Sequence, residues 1–436
     1  MNSPLRLALF RVLLPAALAT GLSAATFEVL PASGDFVGMG QIGAISADGA
    51  TVAAAGWSLA SWGPQAVKWT PLDGARRLDT ATTPAAGAAW GVSANGTVLA
   101  GWRFNSTGRA ACWVNGAPRA LTSLNNAVAL DVSRDGTIAV GRNATSNSNT
   151  AYGTAARWST ATGVATSLGD LPGGLTHSEA TRISADGTTI VGWATSAAGV
   201  VAFRAPSGST MVSLGDLSGG RVFSEALAVS ADGAVVVGRS HSGLGIEAFR
   251  WTTGTGMVGL GDLPGGAYQS SATAVSGDGT IVVGLGTSAA DGEVFVWEPS
   301  RGMRSLSAIT RAAGLPLDNY RFTYCRPVLS EDGDTIAGDA IAPDQTQVLW
   351  RLTGLRALLA NIPTPAVQIQ IEANTVYLRF PTDAGFIYQV QKTTDLARVP
   401  WTDLGASVTG DGLEQFIDTT IDAPACFYRL VVRAGP

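Results

Sequence analysis

The chain has 436 residues, with 54 Gly, 20 Pro and a charged share of only 14%. Charge is scarce against the usual share of about a quarter, but the apolar share of 46% is ordinary, so a packed protein is expected and a disordered one excluded. The net charge of −5 comes without basic blocks and argues against a nucleic-acid partner, while two His and three Cys leave almost no material for a transition-metal site.

Residues 1–25 read as an export signal. Arg6 and Arg11 precede an apolar stretch from Val12 to Leu22, and Ser23-Ala24-Ala25 supplies small side chains for cleavage. That stretch is too short to span a hydrocarbon core, which needs roughly 20 residues. No later segment is long and apolar enough to cross, so the expected location is extracellular or periplasmic, with no transmembrane segment. Such a compartment permits disulfides. Cys112, Cys325 and Cys426 are odd in number and far apart, so buried free thiols are expected.

From residue 45 onward one phrase recurs: an aliphatic residue, Ser, any residue, Asp or Asn, then Gly. Its Ser positions are 46, 93, 133, 184, 230, 276 and 330. A Gly follows eight residues after the Ser at 101, 141, 192, 238, 284 and 338; the first copy has Gly56 instead. A Trp comes next, at 69, 113, 158, 251, 297 and 350, with Ala205 in the fourth copy. Two residues ahead of it stands an apolar side chain such as Phe203, Phe249 or Phe295, on the same strand face. Three copies close with nearly the same loop, Asp170 to Gly174, Asp216 to Gly220 and Asp262 to Gly266.

Each copy reads as four short antiparallel strands, with the Asp-Gly turn joining the first to the second. Four strands in about 46 residues match one propeller blade. The fold expected is all-β: a seven-bladed β-propeller over residues 26–360, a linker at 361–366, and a small C-terminal β-sandwich over 367–436. Phe27 to Pro31 resemble a fourth strand standing before the first copy and are favoured to close the ring; Gly354 to Leu359 compete for that place. In the C-terminal module, Val367 to Ile371, Thr375 to Phe380, Ile387 to Lys392, Leu413 to Ile417 and Phe427 to Val432 read as strands. The phrases Tyr388-Gln389-Val390-Gln391, Trp401-Thr402-Asp403-Leu404 and Phe427-Tyr428-Arg429 resemble short C-terminal modules of secreted bacterial proteins.

The phrases Ser-Ala-Asp-Gly, Ala-Phe-Arg-Trp and Leu-Gly-Asp-Leu-Pro-Gly-Gly resemble the HAF family of extracellular bacterial repeats, over about residues 38–352. The strand order is similar to that of tryptophan–aspartate propellers. The family's name describes His-Ala-Phe, whereas Val201 and Glu247 stand before Ala-Phe here, so a role for that His does not carry over. The resemblance implies an exported repeat protein and no particular reaction.

Sevenfold repetition assigns the Ser-x-Asp-Gly columns to scaffold, because a reaction needs one constellation. The Trp column is assigned to packing between blades. His177 and His241 lie on different repeats, with no recurring acidic or Cys partner beside them. Glu179 and Glu225 share one column, five residues before Ser184 and Ser230; paired carboxylates suit glycosidic acid–base chemistry, and exposed loop Glu is the alternative. No phosphate-cradling loop or dinucleotide fingerprint follows a strand, and no cofactor is expected.

The candidate ligand-binding residues are Trp57, Trp102, Glu179, Trp193, Glu225, Arg239 and His241. They fall in loops on the side opposite the near-identical turns, with Trp62, Arg142, Tyr152, His177 and Asp339 nearby. Ring faces stack on sugars while polar groups orient them. The expected function is a monomeric, exported, non-catalytic binding or surface-interaction protein, its partner a polysaccharide or cell-envelope polymer. The alternative is a secreted propeller enzyme, a lyase or hydrolase, acting on polysaccharide. A cluster of His, Glu and Arg at the ring's axis favours the enzyme; aromatics on an otherwise inert face favour binding.

Overall fold

The computed structural model describes residues 25–434 apart from 32–35, 59–62, 80–84, 105–107, 122–125, 145–152, 289–290, 316, 323–324, 361–367, 373–374, 383–385, 394–401 and 421–426. The export signal up to residue 24, the linker, Trp62, Tyr152 and Cys426 lie outside the described residues. The chain forms two compact units, one of Ala24–Trp297 and Ser305–Leu358, the other including Glu298–Arg304 and Leu359–Pro436.

The larger unit is almost entirely strand. Four strands follow one another in antiparallel order in six successive stretches. These open at Phe36–Ile45, Gly87–Val92, Val128–Val132, Gly173–Ile183, Gly219–Val229 and Gly265–Val275. A seventh stretch supplies only Val328–Leu329, Thr335–Ile341 and Gln347–Thr353. Its fourth strand is Thr26–Leu30, which pairs antiparallel with the last of these, Thr26 opposite Thr353 and Leu30 opposite Leu349. Gly354 to Leu359 do not take that place, because Leu355–Ala360 is a helix. The seventh stretch also meets the first: Gln347 Nε2 donates to the Gly40 carbonyl at 2.9 Å, and the Arg351 guanidinium lies 4.9 Å over the Trp69 ring.

One turn explains the recurring phrase. In every copy the Ser hydroxyl donates to the Asp or Asn two residues on, from Ser46–Asp48 at 2.6 Å to Ser330–Asp332 at 2.5 Å. The same hydroxyl accepts the backbone N–H five residues on, as Ser230 does from Val235 at 2.9 Å. The turn's Gly takes φ between +66° and +77° in all seven copies, a conformation that costs a residue with a Cβ. The turns also bond to one another. Ala231 N donates to Gly277 O at 3.1 Å, and Gly277 N to Glu331 O at 2.7 Å, linking the fifth, sixth and seventh stretches. Repetition therefore serves scaffold twice, within each turn and between turns.

The apolar columns form the core. Phe203, Phe249 and Phe295 are fully buried, as are Trp113, Trp158 and Trp350, whereas Trp251 and Trp297 are half-buried. Two details depart from the sequence reading. The closing loops are shorter than the phrase suggests, because strand resumes at Gly173, Gly219 and Gly265. The widest spacing between copies holds a helix, Leu306–Ala312, capped by Ser305, whose Oγ accepts from Ala308 N at 3.0 Å. Among the described residues no helix is long and apolar enough to cross a membrane.

In the smaller unit Gln368–Glu372, Thr375–Pro381 and Glu414–Thr420 form one sheet. Phe386–Thr393 pairs with Phe427–Ala434, Thr402–Asp403 and Val408–Thr409 in another. Alternate residues of both, among them Leu378, Phe380, Tyr388, Val390 and Leu430, share one apolar cluster.

Candidate functional site

A cavity of about 760 Å³ takes lining residues from all seven stretches of the larger unit. Its position follows from strand periodicity. Residues one, three and five before each Ser lie on the same strand face. The residue one before is aliphatic in every copy, from Ile45 to Leu329, and these seven line a separate, smaller cavity of about 140 Å³ beside the turns. The residue three before is Gly43, Trp90, Leu130, Thr181, Leu227, Thr273 or Pro327, and all of these line the larger cavity. In the first six stretches that residue is the extra one of a β-bulge: Ala180 pairs with Gly192 and Arg182 with Val191, leaving Thr181 between. A bulge re-aims the strand beside it.

The Gly column makes this bulge possible. A Cβ at Gly192 stands 1.9 Å from the Glu179 carbonyl oxygen, and one at Gly238 stands 1.9 Å from that of Glu225. Only Gly lets the innermost strand approach so closely just where it carries its Glu. Directly across the ladder from Glu179 is Trp193, and across from Glu225 is Arg239. All four line the cavity.

The charged groups there are arranged unequally. The Arg142 Nη1 of the third stretch lies 3.1 Å from Glu179 Oε2 of the fourth, and the Trp193 indole N–H bonds to the same carboxylate. Burial nonetheless raises the Glu179 pKa above its ordinary value, outweighing Arg142 and Trp193. Glu225 is held within its own stretch: Arg239 Nε and Nη2 reach its Oε2 at 2.7 and 2.6 Å. Asp339, only 7% exposed, is pushed up to about 6 by burial, against the N–H bonds it accepts from Arg326 and from its own backbone. Burial raises the pKa of Asp131, against the charge of Arg182 and the N–H of Ile183, which its Oδ2 accepts at 3.0 Å. Arg326 is exposed to the cavity, and its pKa is lowered by desolvation and by the like charges of Arg239 and Arg182.

Cys325 also lines the cavity; it is buried and free, as is Cys112, and burial drives both thiols up. Among the described residues no group of three or more His, Cys, Asp or Glu is placed to hold a metal ion.

Of the residues singled out in the sequence, Glu179, Trp193, Glu225 and Arg239 come together here, with Asp339. Trp57, Trp102 and His241 are not among the lining residues. Trp57 is 51% exposed and Trp102 half-buried. His241 packs edge-on to Phe223 at 5.3 Å and accepts from Arg221 Nε at 3.1 Å. His177 stands edge-on to Trp193 at 4.8 Å. The sequence reading missed Trp90, Arg182 and Arg326. For Trp90 the available signal was variation at a fixed place in the repeat, since the residue three before the Ser differs widely between copies; Arg182 and Arg326 stand two and four residues before theirs, off that column.

No family model matches this chain, and no curated protein is similar to it in sequence. Solved structures are similar in fold. TolB from Acinetobacter baumannii matches 61% of this chain and 62% of its own, at 14% identity and a TM-score of 0.40. An oligogalacturonate lyase in complex with manganese matches 77% of this chain and 98% of its own, at 12% identity and a TM-score of 0.49. A prolyl endopeptidase matches 80% of this chain and 55% of its own, at 11% identity and a TM-score of 0.46. The chain thus spans less than two thirds of TolB and of the endopeptidase.

The expectation of a non-catalytic binding or surface-interaction protein is corrected by the ionisable groups gathered on this cavity. Of the His, Glu and Arg cluster that distinguishes the two readings, Glu179, Glu225 and three Arg line one cavity together with Asp339, while no His is among its described lining residues.

Proposed function

We propose that this protein is an exported enzyme, a lyase or hydrolase, that cleaves polysaccharide in the central cavity of a seven-bladed β-propeller of HAF-like repeats, followed by a small β-sandwich. The sevenfold strand order and the N-terminal strand's pairing with the last stretch support the architecture. Arg6, Arg11 and the apolar stretch after them support export.

The observation that carries the activity is Asp339: a carboxyl with a pKa of about 6, lining a cavity that also holds Glu179 and Glu225. General acid–base catalysis is most effective when the group's pKa lies near the working pH. Asp339 exchanges the proton. Glu225, held by Arg239, stays in place as the second carboxylate, and the Trp193 and Trp90 rings offer faces for a sugar.

The test is incubation of the purified chain with a polysaccharide panel, reading both new reducing ends and the ultraviolet absorbance of an unsaturated product. Asp339→Asn and Glu225→Gln are expected to remove turnover by about a hundredfold or more while keeping the fold. A wild-type protein that cleaves nothing, or an Asp339→Asn variant at full rate, overturns the reading.

A further inference from the structure

The charges on the cavity do not cancel pairwise. Glu179 has Arg142 at 3.1 Å, and Glu225 has Arg239 at 2.6 Å. Arg182 acts on Asp131 through its charge and donates its Nη1 to the Thr181 carbonyl at 2.8 Å. That leaves Arg326 and Asp339. Asp339 accepts Arg326's backbone N–H, but the Arg326 guanidinium makes no ion pair within 4.0 Å among the described residues. It is exposed and faces the cavity; of the charges around it Arg239 and Arg182 act most strongly, ahead of the opposite charges of Glu225 and Asp339, neither of which pairs with it within 4.0 Å.

A guanidinium crowded by two others is held there at an electrostatic cost unless something negative joins it. Its planar fork of donors fits a carboxylate better than a point charge does. The surroundings supply the rest of a sugar site, with the Trp90 and Trp193 rings and the Ser271 hydroxyl on the same cavity, while the Thr181 and Thr273 hydroxyls already donate to backbone carbonyls. Asp339 does not repel such a ligand fully, since burial keeps it partly protonated near pH 6.

We infer that the cavity selects acidic sugars, and that Arg326 is the residue that reads the carboxylate of a uronic acid unit. This rests on the polysaccharide reading above and narrows it. Arg182 and Arg239 add to the field that draws the anion in, while Arg326 makes the contact. Neutral sugars meet the same rings and hydroxyl but leave Arg326 without a partner.

The experiment compares galacturonate, mannuronate and guluronate trisaccharides with their carboxyl-reduced, neutral counterparts, by calorimetric binding and by cleavage. The proteins are the wild type, Arg326→Gln and Arg326→Lys, each checked by thermal unfolding. At least one uronate is expected to bind more tightly than its neutral counterpart, with the preference weakening in high salt. Arg326→Gln is expected to lose affinity for that uronate by roughly tenfold to a hundredfold, as removal of a charge-assisted bond does, and to bind the neutral trisaccharide unchanged. Arg326→Lys keeps the charge without the fork and falls between.

A protein that holds neutral and acidic trisaccharides equally, holds none of them, or keeps its preference in Arg326→Gln overturns the inference. Cleavage of neutral sugars alone overturns it and leaves the enzyme reading standing. Arg326-dependent binding of uronates that are never cleaved supports it and removes the enzyme reading.

Discussion

Arg142 and Glu179 belong to different repeats, yet Nη1 and Oε2 meet at 3.1 Å across the boundary between them. Glu225, in the same column one repeat later, is instead held by Arg239 of its own repeat. One column of the repeat thus carries the same residue in two electrostatic settings. The Glu179 pKa is raised by burial and pulled back by Arg142, so Arg142→Met is expected to raise it further. Carboxyl titration by NMR in the two proteins reads this directly. A Glu179 that titrates at the same pH in both means the ion pair does not form in solution.

The scaffold columns differ in what they stabilise. Phe249 is fully buried, and truncation to Ala is expected to cost about 3–5 kcal/mol through lost burial and the cavity left behind. Trp251 is half-buried, so Trp251→Ala is expected to cost less than Phe249→Ala. Asp232→Ala removes the bonds from Ser230 Oγ at 2.6 Å and Ala234 N at 2.9 Å, in an exposed turn, at about 1 kcal/mol. Denaturant midpoints give the order; a ranking with Asp232→Ala at the bottom in stability contradicts it.

The N-terminal strand carries more than its five residues suggest. Leu30 is 2% exposed within a cluster that includes Ile42, Val67 and Leu349, and Val29 pairs with Trp350. Leu30→Ala is expected to cost about 2–5 kcal/mol, as buried Leu truncations do. A Pro at position 29 removes a ladder donor and is expected to free the strand. Hydrogen exchange along Gln347–Thr353 then rises in the Val29→Pro protein. Unchanged protection there means the pairing with Thr26–Leu30 is not what shields that strand.

The fold was legible because the same physics is written seven times. Ser46 and its six equivalents need an acceptor two residues on and a Gly after it, so the turns show in the sequence as a phrase. The Gly at 192 and 238 also showed as a column, but not its cause, which is the close approach of the Glu179 and Glu225 carbonyls. The site was half legible for the opposite reason. Glu179 and Glu225 stood out because they repeat. Trp90, Thr181 and Pro327 share a place in the register but no chemistry, and Arg326 precedes a strand of two residues, where periodicity has nothing to act on. Trp57 and Trp102 follow the Gly column as Trp193 does, yet only Trp193 is among the residues lining the cavity.

Asp339 makes the pH dependence of stability specific. Its folded pKa is about 6 against an ordinary 3.8, so the folded state binds its proton more tightly than the unfolded chain does. Stability from this group is therefore fully present below about pH 4 and is lost as pH rises through 6. The turn carboxylates act in the other direction. Asp48, Asp135 and Asp232 have lowered pKa values, each chiefly because a Ser hydroxyl bonds the ionised form. Their contribution is present above 3.8 and is lost as pH falls through the depressed folded values. Asp339→Asn keeps the turns and removes only the first effect. The stability of wild type minus variant is expected to fall between about pH 4 and pH 6 and to be flat on either side. Denaturant unfolding of both proteins from acid to neutral pH measures that difference. Parallel curves across the window would show that Asp339 titrates normally, and would remove the proton-exchanging group from the proposed site.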